Sequence, residues 1–122
     1  MSLPASDDEI LLLHNPRCSK SRAALGLLEQ AGVAFNERCY LEEPLSLEEL
    51  RELRARLDRP AREWMRSSEK TAREAGLSGD YGEDEILAAM QRDPILMERP
   101  IIVRGKRAIV GRPPERLKDL LD

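Results

Sequence analysis

The order strand, helix, strand within residues 10–40 is the feature that most limits what this chain can fold into. The apolar run Ile10–Leu13 is typical of a buried strand. Alanine and leucine then recur at helical spacing between residues 23 and 31, and Gly32 suits the end of that helix. Val33–Tyr40 is predicted to be the second strand. A unit this short indicates two parallel strands joined by a right-handed crossover.

Helical patterns dominate the middle of the chain, at about residues 46–92. Ser46-Leu47-Glu48-Glu49 is a capping-box sequence, and a leucine stripe follows it. Residues 61–75 are predicted to be helical in one or two pieces that end at Gly76. Glu83–Arg92 has an apolar side and ends before Asp93-Pro94, which predicts a further helix.

The chain then returns to strands. Pro100–Val103 and Arg107–Val110 flank Gly105-Lys106, which indicates a hairpin, and Pro113-Pro114 suits the start of a last helix. The order predicts an α/β fold: βαβ, a helical insertion, then ββα, around a four-stranded mixed sheet. A chain of 122 residues is expected to form one domain over residues 1–122.

A cysteine lies where the first strand meets the first helix, in the run His14-Asn15-Pro16-Arg17-Cys18-Ser19-Lys20-Ser21-Arg22. The start of a helix carries unpaired N–H groups and a partial positive charge. Both favour the thiolate of Cys18, which is the nucleophilic form, and the same N–H groups can hold an oxyanion. Ser19 or Asn15 is expected to cap the helix.

Composition narrows the classes of partner. Twenty basic against 23 acidic residues give a net charge of −3, so bulk charge gives no reason to expect nucleic-acid binding. We find no apolar run near the length of a membrane span and no export signal, and therefore expect a cytoplasmic protein.

The two cysteines and the one histidine do not form a zinc-binding pattern, because Cys18, Cys39 and His14 lack the paired spacing of a zinc site. Cys39 is expected to be a packed strand residue.

Three motifs, in order, resemble those of the glutaredoxin-coupled arsenate reductase family, which has a thioredoxin-like fold. They are His14-Asn15-Pro16-x-Cys18-x-x-Ser21-Arg22, Arg99-Pro100-Ile101 and Gly111-Arg112-Pro113. The helical insertion between the two halves is also similar to that family.

The resemblance implies a role for each matching residue. Cys18 would be the nucleophile, and Arg99, Arg112 and Arg66 would bind the oxyanion, with Arg62 as a rival for the third arginine. His14, Ser19, Ser21 and Pro100 would support the site, and the Arg99–Pro100 bond would be cis. In the family's reaction the thiolate attacks arsenate, glutathione displaces the adduct, and glutaredoxin completes the reduction to arsenite.

The residue types suit that chemistry. Guanidinium groups stay charged and match the oxygens of a tetrahedral anion, and a nearby positive charge favours a thiolate. Ser21 stands where a CxxC motif has its second cysteine, so this loop cannot close its own disulfide. Oxidising equivalents must pass to an external thiol, which agrees with glutathione as a co-substrate and with no bound cofactor.

Other functions stay open. Ser19-Lys20 stands where the family usually has Gly-Thr, which leaves room for a monothiol glutathione-dependent reductase acting on another substrate. A regulator resembling Spx would bind RNA polymerase through this fold, but that group carries CxxC, and Ser21 argues against it. A phosphatase-type arsenate reductase needs CxxxxxR, and Ala24 occupies the arginine position.

Overall fold

The computed structural model describes residues 3–66 and 82–121, and its centre is a four-stranded sheet. The strands are β1 (Ile10–His14), β2 (Asn36–Cys39), β3 (Ile101–Arg104) and β4 (Arg107–Val110), in the spatial order β2-β1-β3-β4. β1 is parallel to β2 and antiparallel to β3, and β3 is antiparallel to β4. The predicted mixed sheet is therefore confirmed.

The described helices follow the predicted order. They are α1 (Ser19–Gln30), α2 (Leu47–Leu57), α3 (Glu83–Arg92) and α4 (Lys118–Leu121), with 3₁₀ helices at Ala61–Trp64, Pro94–Leu96 and Pro114–Leu117. Gly32 has a φ of +70°, which a residue without a Cβ adopts at low cost, so it ends α1 as predicted.

The sheet separates two apolar cores, because successive side chains of a strand point to opposite faces. On one face, Leu11, Leu13, Ile101 and Val103 pack with the insertion. On the other, Ile10, Leu12 and Ile102 pack with α1 and with the C-terminal helical residues. All five residues of β1 are thus buried between the two cores, which fixes the position of the strand's carboxyl end.

A buried ion pair joins the insertion to the sheet. Arg38 of β2 is 5% exposed and donates from Nη1 to Glu49 Oε2 at 2.6 Å. Glu49 also completes the predicted capping box with Ser46 at the start of α2. One carboxylate therefore sets both the start of α2 and its position on β2.

The second strand is shorter than the sequence predicted. β2 begins at Asn36 rather than Val33, because its pairing with β1 starts at Leu11↔Asn36. In the segment predicted to be helical over 61–75, the described residues form a 3₁₀ helix at Ala61–Trp64, and Met65 then pairs with Met97 in an isolated antiparallel bridge. The rest of that prediction lies outside the described residues.

Within the two described ranges, the helices are too short or too polar to cross a membrane.

Candidate active site

The loop between β1 and α1 is held by a compact set of hydrogen bonds. Ser21 Oγ accepts the Asn15 N–H at 3.0 Å and lies 2.8 Å from His14 Nδ1. The Asn15 side-chain oxygen accepts the Arg17 N–H at 3.0 Å, and the Asn15 carbonyl accepts the Cys18 N–H at 3.0 Å. His14 and Ser21 thus lie together, and Cys18 is presented on a backbone with little freedom.

Cys18 itself occupies the N-cap position of α1. Its φ of −98° and ψ of 123° are extended, and no side chain caps the helix. The expectation that Ser19 or Asn15 would cap is therefore wrong: Ser19 is the first helical residue and is exposed, and the Asn15 side chain bonds to Arg17 instead. The sulfur consequently faces the free N–H groups of the first turn, the place a capping oxygen normally takes.

Several donors stabilise the Cys18 thiolate. Burial raises the pKa of this thiol, but hydrogen bonds from the Ser21 N–H, the Arg99 side chain and the Lys20 N–H, together with the Arg99 charge, bring the pKa below its ordinary value. Ser21 acts on the sulfur through its backbone N–H, since its hydroxyl binds His14 and Asn15. The lowered pKa favours the thiolate, which is the nucleophilic form of cysteine.

His14 is a buried, neutral imidazole. Burial lowers its pKa, and Arg22 lowers it further against the opposing charge of Glu37. Its Nδ1 lies 2.8 Å from the Ser21 hydroxyl oxygen, and this hydrogen bond ties the end of β1 to the first turn of α1. The uncharged ring makes His14 a positioning residue rather than a source of positive charge.

The paired ends of β3 and β4 place two of the predicted arginines. Arg99 precedes β3 and Arg112 follows β4, and the Gly111 N–H donates to the Pro100 carbonyl at 2.8 Å. A Cβ at Gly111 would lie 3.0 Å from the Pro100 ring and 2.9 Å from Ile102, so only glycine fits this contact without displacement. The Arg99–Pro100 bond is cis, as expected, and the bond after Arg112 is also cis.

A carboxylate that the sequence analysis missed joins the other two arginines. Glu98 Oε1 lies 3.3 Å from Arg112 Nη1 and 3.7 Å from Arg66 Nε. The Glu98 N–H donates to the Trp64 carbonyl at 2.9 Å, which holds the carboxylate beside Arg66. Arg66 is half-buried here, whereas its rival Arg62 is exposed. The one signal for Glu98 was its place directly before Arg99.

Tyr40 is a second residue that the sequence analysis missed. It follows β2 and is 1% exposed. Burial raises the pKa of its phenol to about 12, against the opposing effects of Arg99, Asn15 and Arg66. The signal that could have found it is topological, because the carboxyl ends of the parallel strands β1 and β2 meet at one edge of the sheet.

Shallow cavities lie on both sides of the Cys18 loop. One of about 220 Å³ is lined by Asn15, Pro16, Arg17, Cys39, Leu41 and Glu42. Another of about 220 Å³ is lined by Ser19, Lys20, Ala23, Pro114 and Glu115. Cys39 is half-buried rather than fully packed, and both cysteines are free thiols. Among residues 3–66 and 82–121, no three His, Cys, Asp or Glu side chains are grouped as metal ligands.

Comparisons with known proteins converge on one family. The ArsC family model matches residues 13–120. An arsenate reductase of Neisseria meningitidis is 43% identical over 115 residues, which are 93% of this chain and 98% of the relative. The uncharacterized protein YfgD of Escherichia coli is 41% identical over 115 residues, 93% of this chain and 97% of its own length. A solved arsenate reductase from Vibrio cholerae superimposes with a TM-score of 0.88 at 39% identity, covering 96% of this chain and 99% of that structure.

Proposed function

The chain belongs to the ArsC family of arsenate reductases, with the thioredoxin-like fold of its structural relatives, and from this premise we propose that it reduces arsenate to arsenite with glutathione and glutaredoxin. Cys18 is the single nucleophile of the proposed reaction. Arg66, Arg99 and Arg112 bind the oxyanion.

The observation that carries this proposal is the pairing of Cys18 with Arg99. One guanidinium donates to the sulfur and lies where it can also contact an anion that the sulfur attacks. The helix N–H groups of Lys20 and Ser21 complete a positive environment on the same side of the sulfur. An arrangement that stabilises the thiolate therefore also attracts its electrophile.

The proposed steps balance in atoms and electrons. The Cys18 thiolate forms an S–As(V) bond, and one arsenate oxygen leaves as water after protonation. The glutathione thiol then forms a second S–As bond, and a second arsenate oxygen leaves as water. A glutaredoxin thiolate attacks the glutathione sulfur, the electron pair of that S–As bond passes to arsenic, and arsenic(V) becomes arsenic(III) as a glutathione–glutaredoxin mixed disulfide leaves. Cleavage of the remaining S–As bond by water releases arsenite and restores Cys18.

External thiols are required because Ser21 replaces a resolving cysteine in the loop. Cys39 lines the cavity beside Asn15 and Arg17, but both cysteines of the chain are free thiols. We assign Cys39 no redox role, and we assign the reaction to the glutathione-rich cytoplasm.

Arsenite formation with arsenate, glutathione and glutaredoxin tests the proposal. Wild-type protein and Cys39→Ser should turn over at similar rates. Cys18→Ser should be inactive, and Arg99→Ala should lose at least tenfold in kcat/KM, the size expected for one anion-binding donor. Activity that persists in Cys18→Ser, or that disappears equally in Cys39→Ser, contradicts the assignment.

One observation favours a second candidate, a monothiol reductase of glutathionylated thiols. The Glu98 carboxylate already neutralises part of the positive charge of Arg66 and Arg112, which favours a substrate less charged than arsenate. Release of glutathione from a glutathionylated peptide, with no arsenite formed from arsenate, would select this candidate. Arsenite formation from arsenate, with no release of glutathione from the peptide, would exclude this second candidate.

A further inference from the structure

Three buried side-chain atoms in the described part of the chain lack a hydrogen-bond partner: Tyr40 Oη, Arg99 Nε and Arg99 Nη1. Buried polar atoms are nearly always paired, because leaving one unpaired destabilises the fold. The two residues that carry these atoms lie in one region, since the Arg99 charge lowers the pKa of both the Tyr40 phenol and the Cys18 thiol. All the unsatisfied buried side-chain atoms among residues 3–66 and 82–121 therefore lie at the proposed active site.

The same fold satisfies another buried guanidinium completely. Arg38 donates from Nε to the Glu43 carbonyl at 2.9 Å and from Nη2 to the Pro44 carbonyl at 2.8 Å. Both of its terminal nitrogens also bind Glu49, at 2.6 and 3.1 Å. The contrast shows that the unpaired donors of Arg99 are specific to this location rather than a general feature of the protein's buried arginines.

The hydroxyl of Tyr40 suits the same ligand as Arg99. Asn15, Arg66 and Cys18 lie around it in addition to Arg99, and the Asn15 amide approaches without meeting hydrogen-bond geometry. The phenol is neutral at any working pH, because burial raises its pKa to about 12. A protonated phenol among positive side chains can donate its O–H to an anion that the arginines attract.

We propose that Tyr40 is a substrate-binding residue whose hydroxyl donates to one oxygen of a tetrahedral oxyanion held by Arg99 beside Cys18. The inference deepens the proposed function, because arsenate is the oxyanion that reacts there. Phosphate and sulfate share the tetrahedral shape and the acceptor oxygens of arsenate, so they should bind to the same donors without reacting.

Tyr40 adds a kind of donor that the arginines do not supply. Its hydroxyl is uncharged and its aromatic ring is fixed in the core formed with the insertion. It can therefore orient an anion without further lowering the pKa of Cys18 through charge. Removing the hydroxyl should weaken oxyanion binding while leaving the core shape intact.

Sulfate titration followed by NMR tests the proposal independently of turnover. With ¹³Cζ-labelled tyrosine the chain gives two resonances, since it has two tyrosines, and Tyr40→Phe identifies the one from Tyr40. That resonance should move as sulfate binds to the wild-type protein. Backbone amide shifts of the Cys18 loop should give a sulfate dissociation constant ten- to a hundredfold weaker in Tyr40→Phe, the size expected for one hydrogen bond to an anion.

Two controls separate binding from stability and from bulk charge. Tyr40→Phe should melt at the same temperature as the wild type or higher without sulfate, because it removes an unpaired buried hydroxyl. Arg92→Gln, which removes an exposed charge paired with Asp93, should leave the dissociation constant within twofold when ionic strength is held constant.

Several outcomes would overturn the proposal: an unmoved Tyr40 resonance, equal sulfate affinity in wild type and Tyr40→Phe, or no sulfate binding to either protein. Weaker sulfate binding by Tyr40→Phe, together with a wild type that forms no arsenite, would support Tyr40 as an oxyanion donor and refute arsenate reduction. A raised KM for arsenate in Tyr40→Phe would support both the role of Tyr40 as an oxyanion donor and the proposed reduction of arsenate.

Discussion

Replacing Arg99 by alanine should raise the pKa of the Cys18 thiol and slow its alkylation at neutral pH. The sulfur takes hydrogen bonds from two backbone N–H groups and from Arg99, and Arg99 also supplies the nearby positive charge. A hydrogen bond to a charged group contributes about 1.5–3 kcal/mol. Because Cys18 is half-buried and keeps its two backbone donors, the lower end applies, which corresponds to about a tenfold shift of the thiol–thiolate equilibrium.

The assay is the rate of iodoacetamide alkylation against pH in a Cys39→Ala background, where Cys18 is the only cysteine. The midpoint of the profile should move to higher pH in Arg99→Ala. Arg62→Ala makes the same change of charge at an exposed arginine and should leave the midpoint in place. Identical midpoints for wild type and Arg99→Ala, or equal shifts in both variants, would refute the assignment of Arg99 to the thiolate.

Three further substitutions test other contacts of the structure. Glu98→Gln removes the negative charge that lies beside Arg66 and Arg112, so the KM for arsenate should fall about fivefold, and an unchanged or higher KM would contradict competition between Glu98 and substrate. Glu49→Gln leaves buried Arg38 without its counter-ion and should lower the free energy of urea unfolding by about 3 kcal/mol at pH 7. Burial raises the pKa of Glu49, but hydrogen bonds from Arg38 and Ser46 leave that pKa lower than in the unfolded chain. The stabilisation is therefore complete above about pH 4.3 and is lost as the pH falls through the folded pKa. A difference in unfolding free energy between wild type and Glu49→Gln that persists in acid would contradict this role of the ion pair. Gly111→Ala forces a Cβ against the Pro100 ring and should cost about 1–3 kcal/mol of stability and reduce arsenate turnover, whereas wild-type melting and turnover would exclude this packing role.

Local sequence signals predicted elements well where both ends carried a signal. Glu83–Arg92 and Arg107–Val110 have the predicted bounds, because an acidic first turn and Asp93-Pro94 delimit the helix and Gly105-Lys106 delimits the strand. β2 is shorter than predicted because its length depends on pairing with β1, which no local pattern encodes. In the segment expected to be helical over 61–75, the 3₁₀ helix at Ala61–Trp64 is followed by a backbone bridge between Met65 and Met97, a contact between distant segments that no local pattern predicts.

Some residues of the candidate site could be predicted from sequence motifs, whereas others are evident only from the three-dimensional structure. Motif order predicted a site of Cys18 and three arginines, and the structure has Arg99 beside Cys18 and Arg66 with Arg112 around one carboxylate. The capping prediction was wrong because the rule favours a side-chain oxygen, whereas here the nucleophile itself takes the cap position. Tyr40 and Glu98 belong to no motif, and their proximity to the site arises from contacts between distant segments.

The most direct test of a bond between the nucleophile and the substrate is arsenic K-edge X-ray absorption of the protein incubated with arsenate, before any glutathione is added. The proposed mechanism predicts an As–S contribution in the wild type that is absent from Cys18→Ser and retained in Cys39→Ser. Arsenic surrounded by oxygen alone in the wild type, or an As–S signal that survives in Cys18→Ser, would contradict Cys18 as the attacking thiolate.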